Sequence, residues 1–204
     1  MQREWPDNRT VTIVCHGHSV PAGYFATPVV DTFNAYPHLL HRELKSRFPC
    51  AVINVVVTAI GGEDSPAGAQ RFAQDVLTHR PHLITIDYGL NDRRAGVEAA
   101  EAAWCSMIES GIASGAKVIL LTPTGDTTLL PDFQGEEKGA LVAHANQIRR
   151  IAARYGVGLA DSFRWFQEAA TLGELDDLLS WPNHPNRRGH DLVVRELMRW
   201  FPEG

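Results

Sequence analysis

Short, almost wholly apolar runs alternate along the chain with longer segments in which apolar residues recur every three or four positions. The short runs are rich in Val and Ile and are mostly apolar on both faces. This is typical of strands in a parallel sheet that is covered on both sides. The pattern predicts five strands, at residues 11–15, 51–57, 83–88, 117–121 and 157–160.

The longer segments have the periodicity of amphipathic helices that pack one face against a core. They predict helices at residues 36–48, 67–78, 97–114, 136–155 and 187–201. This alternation favours an α/β protein, a three-layer α/β/α sandwich with a mostly parallel, flavodoxin-like five-stranded sheet. Because no repeat, low-complexity tract or linker interrupts the pattern, we expect a single domain over residues 1–204.

The composition of the 204-residue chain narrows the classes of function. Charged residues make up 21% and the formal net charge is -5, so nothing suggests a nucleic-acid partner. No apolar run is long enough to span a membrane, and we expect no membrane partner. Cys15, Cys50 and Cys105 are odd in number and widely separated, which argues against a disulfide framework and a zinc site.

The start of the chain, MQREWPD, lacks the apolar stretch of a secretory signal. Together with the unpaired cysteines, this favours a cytoplasmic location. A chain from which a leader had been removed would have the same sequence, so the location stays an expectation.

Small and polar residues follow four of the predicted strands. They occupy residues 16–19, 59–62, 89–92 and 122–123. In a doubly wound sheet the carboxyl ends of the strands form the ligand crevice, so we expect these segments to converge there. The irregular stretch at 122–135 is long for a compact domain, and such a loop is often a lid or a binding wall.

His16 and His18 alternate along the end of the first strand, so both side chains could face one side and share a metal ion. A metal site needs further ligands. His184 and Asp92 are candidates, but the spacing matches no metal-binding signature. We therefore favour hydrogen-bonded packing for the two histidines at a crowded strand end, and we expect neither a metal nor an organic cofactor.

Ser19 follows the first predicted strand directly, where it either caps the turn that follows or acts as a nucleophile. The other strand ends favour the second role. Gly62 permits the close approach of a backbone N–H, and the Asn91 amide supplies a further donor, so that an oxyanion hole forms beside the serine. His184, on a proline-flanked loop before the last helix, is the candidate base.

Four short sequence blocks carry these residues: GHS at 17–19, IGGED at 60–64, GLND at 89–92 and HPNRRGH at 184–190. In this order and on this predicted fold, they resemble the SGNH/GDSL hydrolase superfamily over essentially the whole chain. That family is named for a serine, a glycine, an asparagine and a histidine, which match Ser19, Gly62, Asn91 and His184 here. The resemblance implies a carboxylic ester hydrolase that uses these four residues in catalysis.

Two positions depart from the pattern of that family. His18 stands where the family usually has an acidic residue before the serine, a change that affects the packing of the turn more than the reacting groups. Trp181 stands three residues before His184, where the family usually has an aspartate. The triad therefore lacks its expected acid, and another group must accept the second N–H of the histidine.

Three kinds of group could hold the His184 ring in place of that aspartate. Asp176 and Asp177 precede the loop but have the character of exposed helix residues. Asp64 lies beside the second block, at a distance that the sequence does not specify. The backbone carbonyl of Trp181 occupies the chain position from which the aspartate normally reaches the ring. We therefore expect a serine–histidine dyad oriented by this carbonyl.

These observations favour a serine esterase or acylhydrolase that acts on a small-molecule ester. The modest length and short loops favour a small acyl group, such as acetyl on a carbohydrate, over a long lipid chain. Two alternatives stay open. An acyltransferase would use an acceptor hydroxyl in place of water, which a water-excluding loop at 122–135 would favour. A catalytically inactive carbohydrate-binding module would explain the missing acid, but the retained serine, glycine, asparagine and histidine argue against it.

Overall fold

The computed structural model describes residues 1–135 and 137–202. In this part of the chain, a parallel sheet of five strands has the order β2-β1-β3-β4-β5. The strands are β1 (Thr10–Gly17), β2 (Val52–Val57), β3 (Leu83–Asp87), β4 (Lys117–Leu121) and β5 (Gly158–Ala160). This order is that of flavodoxin-like doubly wound sheets, so the predicted fold class is confirmed.

Helices cover both faces of the sheet. In the described residues they are α1 (Ser19–Ala22), α2 (Tyr36–Arg47), α3 (Ser65–Asp75), α4 (Val97–Ala113), α5 (Glu137–Tyr155), α6 (Phe163–Leu172) and α7 (Arg187–Met198). The predicted start of α5 at Glu136 lies outside the described residues. Helices α1 and α6 and a two-stranded antiparallel ribbon, β6 (Leu179–Trp181) with β7 (His184–Pro185), complete the architecture.

The core lies in two layers, one on each face of the sheet. Ile13 and Cys15 of β1 belong to one layer, with residues of α2 and α7. Val14 belongs to the other, with residues of α3 and α4. Successive residues of a strand point to opposite faces, so a run that is apolar throughout is what a sheet covered on both sides requires.

Strand β1 is longer than its apolar run and continues through His16 to Gly17, because its ladder with β3 extends to the pair Gly17 and Asp87. The two backbones approach closely there. A Cβ on Gly17 would lie 2.4 Å from the carbonyl oxygen of Asp87, so only glycine fits at this point.

At the opposite end of the sheet, where the strands begin, a cavity of about 700 Å³ is lined by side chains that include Ile13, Leu83 and Val118. It does not adjoin the segments that follow the strands. Within the described residues, none of the helices combines the length and apolar character needed to cross a bilayer.

Candidate active site

The carboxyl ends of β1, β2 and β3 are held side by side by backbone hydrogen bonds that continue past the strands. The N–H of Ile60 donates to the Gly17 carbonyl at 3.0 Å, and the N–H of His18 donates to the Asp87 carbonyl at 3.2 Å. The segments that carry the first three sequence blocks therefore begin at one edge of the sheet, as expected from the strand order.

Ser19 is the first residue of α1 and is buried. This short helix ends at Gly23, whose φ of 94° is in the left-handed region that favours glycine. The N–H of Gly23 closes the turn by donating to the Ser19 carbonyl at 3.1 Å. The tight turn leaves the serine side chain facing β7, where Oγ lies 2.9 Å from Nε2 of His184.

His184 is fixed at its other ring nitrogen by the backbone. Nδ1 lies 2.8 Å from the carbonyl oxygen of Phe25. A carbonyl can only accept, so Nδ1 carries the proton and Nε2 presents a lone pair to the Ser19 hydroxyl. This is the tautomer that a general base needs.

The expectation that the Trp181 carbonyl orients His184 was therefore wrong. Phe25 reaches the ring because its segment folds back on itself. Its N–H donates to the Val29 carbonyl at 3.0 Å, and the N–H of Asp31 donates to the Gly23 carbonyl at 2.8 Å. Trp181 instead pairs with His184 across the ribbon of β6 and β7.

The three aspartates considered for this role are engaged elsewhere or exposed. Asp64 caps α3 and accepts a hydrogen bond from the N–H of Ala67 at 3.2 Å. Asp177 pairs with Arg188 at 3.1 Å, and Asp176 is exposed. The group that accepts the Nδ1–H of His184 is thus a neutral carbonyl, that of Phe25.

Within the described part of the chain, each of three candidate oxyanion donors has a hydrogen without an acceptor. No described residue accepts a hydrogen bond from the backbone N–H of Ser19 or of Gly62. Gly62 has a φ of 79°, a conformation that favours glycine. The side-chain amide of Asn91 donates one hydrogen to the Glu63 carbonyl at 2.9 Å and has a second hydrogen to offer.

A partly buried polar network contacts Glu63 of the second block. The Tyr88 hydroxyl donates to Glu63 at 2.7 Å, and Nε of Arg71 donates to the same carboxylate at 2.8 Å. His16 joins this network through Nε2, 3.0 Å from the Tyr88 hydroxyl, while its Nδ1 lies 2.9 Å from Thr58 Oγ1. Protein groups therefore engage both nitrogens of His16.

His18 has different partners from His16: Ser19, the N–H of Val20 and Asp87. The two histidines do not share a ligand set. Among the described residues, no group of three or more His, Cys, Asp or Glu side chains is gathered so that it could hold a metal ion.

The third block and the loop at 122–135 are tied together by charge. Arg93, the residue directly after the third block, pairs with the buried carboxylate of Asp126 at 2.8 Å. The N–H of the next residue, Thr127, donates to the Pro182 carbonyl at 2.8 Å. The first half of the loop is therefore anchored between the third block and the segment that precedes His184. Asp92 links its turn to the start of α3 by accepting a hydrogen bond from the N–H of Ser65 at 2.7 Å.

Sequence reasoning missed two groups beside the reacting centre and interpreted a third as packing. The Phe25 carbonyl is a backbone atom and leaves no signature in the sequence. Asp87 has a signal that could have been noticed, an acidic residue inside a buried apolar strand. His18, interpreted as packing, lies within 3.3 Å of Ser19 Oγ.

As the candidate base, His184 would make the activity depend on pH. Burial lowers the pKa of His184 below its ordinary 6.5, and the nearby His18 ring lowers it further. The hydrogen bond to the Phe25 carbonyl raises this pKa, but by less than burial lowers it. The ring accepts the serine proton only when neutral, so we expect kcat/KM to rise with pH through a midpoint below 6.5. Initial rates measured from about pH 4 to 8, in steps of roughly half a pH unit, give this midpoint. A midpoint above 7 would contradict it.

Thermal unfolding at each pH is the control for that profile. Burial lowers the pKa of His16 to about 4 and that of His190 to about 3, so the folded state favours their neutral forms. The unfolded chain binds those protons at about pH 6.5. The contribution of these two histidines to stability is therefore fully present above that pH, and it is lost as the pH falls towards their pKa values in the folded state. Rates are compared only at pH values where the protein stays folded.

Solved structures with the same fold include several esterases. Axe2, an acetylxylan esterase from Geobacillus stearothermophilus, has 20% sequence identity and a TM-score of 0.80, over 98% of this chain and 95% of that one. The acetyl xylan esterase AlAXEase has 20% identity and a TM-score of 0.80, over 94% and 100%. LAE5, an alpha/beta hydrolase from the metagenome of Lake Arreo, Spain, has 21% identity and a TM-score of 0.78, over 93% and 94%.

These likenesses establish a shared fold. Among curated proteins, no relative matches the sequence. A family model does match, however, and it covers residues 15–192, a span that includes all four sequence blocks. The chain therefore belongs to the GDSL-like lipase/acylhydrolase family and is a carboxylic ester hydrolase, as the motif resemblance predicted.

Proposed function

We propose that the protein is a serine esterase in which Ser19 is the nucleophile and His184 the general base. The observation that carries this proposal is the 2.9 Å contact between Ser19 Oγ and Nε2 of His184. The opposite nitrogen is fixed at 2.8 Å by the Phe25 carbonyl. Nucleophile and base are thus in hydrogen-bond contact and in the required tautomer before substrate binds.

The proposed reaction has two steps. Nε2 of His184 takes the Ser19 proton while Oγ bonds to the ester carbonyl carbon, and the carbonyl electron pair moves to its oxygen. The N–H groups of Ser19 and Gly62 and the Asn91 amide stabilise this oxyanion. His184 then protonates the departing alcohol. Water, deprotonated by the same ring, attacks the acyl-serine. The acyl–Oγ bond breaks, the ring returns the proton to Ser19 Oγ, and the acid is released.

We further propose that the acyl group is small, in particular acetyl on a carbohydrate. Tyr24 supports this. Its ring lies 6.0 Å from that of His184. It also lies next to Gly61, where a Cβ would come within 3.1 Å of the ring. The tyrosine therefore occupies space between the second block and the base, which leaves less room for a long acyl chain.

The names of the structural relatives also support this substrate class. Axe2 and AlAXEase are acetylxylan esterases. Two further structures of Axe2 are described as catalytic mutants, one with a serine replaced by alanine and one with a histidine replaced by alanine. A serine and a histidine are likewise the groups proposed to react here.

A substrate series tests the proposal. We expect kcat/KM for p-nitrophenyl acetate to exceed that for the butyrate and octanoate esters by about tenfold or more, because one added methylene can already cost that much in a confined pocket. Release of acetate from acetylated xylooligosaccharides tests the carbohydrate. Equal rates for acetate and octanoate would contradict a small acyl site, and absence of hydrolysis with retained sugar binding would support the inactive-module alternative. Transfer to an added sugar in preference to water would support the acyltransferase.

A further inference from the structure

Ser19 has a second imidazole beside it. Nδ1 of His18 lies 3.3 Å from Ser19 Oγ, and Nε2 of His184 lies 2.9 Å from the same oxygen. His18 is fully buried, so it reaches the hydroxyl from the protein interior. The single hydroxyl proton therefore has two nitrogen acceptors within reach.

Two contacts indicate the same tautomer of His18. The N–H of Val20 points at Nδ1 at 3.3 Å, which requires a lone pair on that nitrogen. Nε2 lies 3.4 Å from Oδ1 of Asp87, an acceptor, so the ring proton belongs on Nε2. The latter distance is longer than an ordinary hydrogen bond, and Nε2 has no hydrogen-bond partner in the described part of the chain. The contact is electrostatic and becomes an ion pair once the ring is protonated.

Asp87 is buried and, among the described residues, has no arginine or lysine partner. A buried carboxylate is costly unless a positive charge accompanies it. Its other ionisable neighbours stay neutral: burial, with the charge of Asp87, raises the pKa of Cys15 to about 12 and that of Tyr36 well above its usual value. His18 is thus the basic side chain that lies against this carboxylate, at 3.4 Å.

We propose that His18, backed by Asp87, is a second general base for Ser19, an inference that rests on Ser19 being the nucleophile. The hydroxyl proton moves to Nδ1 of His18, Oγ bonds to the acyl carbon, and the carbonyl electron pair moves to its oxygen. The N–H of Val20 gives up its acceptor in this state. The His18 imidazolium directs its Nε2–H at the negatively charged Asp87 carboxylate. His184 has a neutral carbonyl in the corresponding place.

The rate of labelling by a fluorophosphonate probe isolates this step, because fluoride leaves without needing a proton and only the serine hydroxyl must be deprotonated. The intact chain is compared with His184→Ala, His18→Asn and the double variant. Asparagine keeps a side-chain acceptor for the N–H of Val20, the hydrogen bond by which His18 caps α1, so His18→Asn is a matched substitution.

We expect His184→Ala to label about 10²- to 10⁴-fold more slowly than wild type, and the double variant about tenfold more slowly still. Because two bases act in parallel, His18→Asn should lower the labelling rate by a larger factor in the His184→Ala background than in the wild type. An equal fold decrease in labelling rate in both backgrounds would mean that His18 only positions the hydroxyl, and would overturn the proposal. Labelling of His184→Ala no faster than that of Ser19→Ala would overturn it too.

Asp87→Asn, which has the same shape without the charge, is the second variant. Added to His184→Ala, it should slow labelling several-fold further. An unchanged labelling rate would show that Asp87 does not assist His18. Thermal unfolding tests whether each variant is folded. Labelling that persists in Ser19→Ala would refute the nucleophile itself, so the failure of the proposed function is distinct from the failure of this inference.

Discussion

Replacing Ser19 by alanine is expected to lower kcat for ester hydrolysis by at least about 10⁴-fold, since removing the nucleophile of a serine hydrolase removes nearly all its catalysis. Oγ contacts both His184 and His18, at 2.9 and 3.3 Å. Without it, neither imidazole has a hydroxyl to deprotonate. Initial rates with p-nitrophenyl acetate and labelling by a fluorophosphonate probe measure the effect, and the variant should remain unlabelled.

Variants elsewhere serve as controls. Ser46→Ala changes an exposed serine on α2 and should label like the wild type. Asn substitutions of Asp64, Asp176 and Asp177 should each cost less than about tenfold in kcat, since loss of a true triad aspartate costs about 10⁴-fold. Persistent labelling of Ser19→Ala, or a 10⁴-fold loss in one folded aspartate variant, would contradict the site as proposed.

Asn91→Ala is expected to lower kcat by about 10²- to 10³-fold with little change in KM, the effect of losing one oxyanion donor. In the proposed mechanism, the amide hydrogen that has no acceptor among the described residues gains its partner when negative charge develops on the substrate oxygen. The interaction therefore stabilises the transition state more than the bound ester. Steady-state kinetics with p-nitrophenyl acetate separate the two parameters.

Asn91 also holds the Glu63 carbonyl at 2.9 Å, so its loss could disturb the loop as well as the donor. Arg94→Ala is the matched control, because Arg94 donates to the Gly62 carbonyl in the same loop and supplies nothing to the reacting centre in the proposed mechanism. It should cost much less in kcat than Asn91→Ala. A change confined to KM in Asn91→Ala would assign the residue to substrate binding instead.

The sequence predicted the elements well where periodicity alone determines them. The strand at Lys117–Leu121 has the predicted bounds, and the helix at Val97–Ala113 differs by one residue. Differences arise where tertiary contacts extend or end an element. β1 runs on through His16 because β3 continues the ladder, and α3 begins earlier, at Ser65, because Asp64 caps it.

By itself, the sequence determined the fold class, the family and which segments follow the sheet strands, because periodicity and short motifs are local properties of the chain. Only the tertiary structure decided what surrounds the reacting groups. The carbonyl that holds His184 belongs to Phe25, 159 residues away, and a backbone oxygen is the same in every residue. The approach of Asp87 to His18 depends on the register of β1 against β3, which is set by hydrogen bonds between strands that lie far apart in the chain.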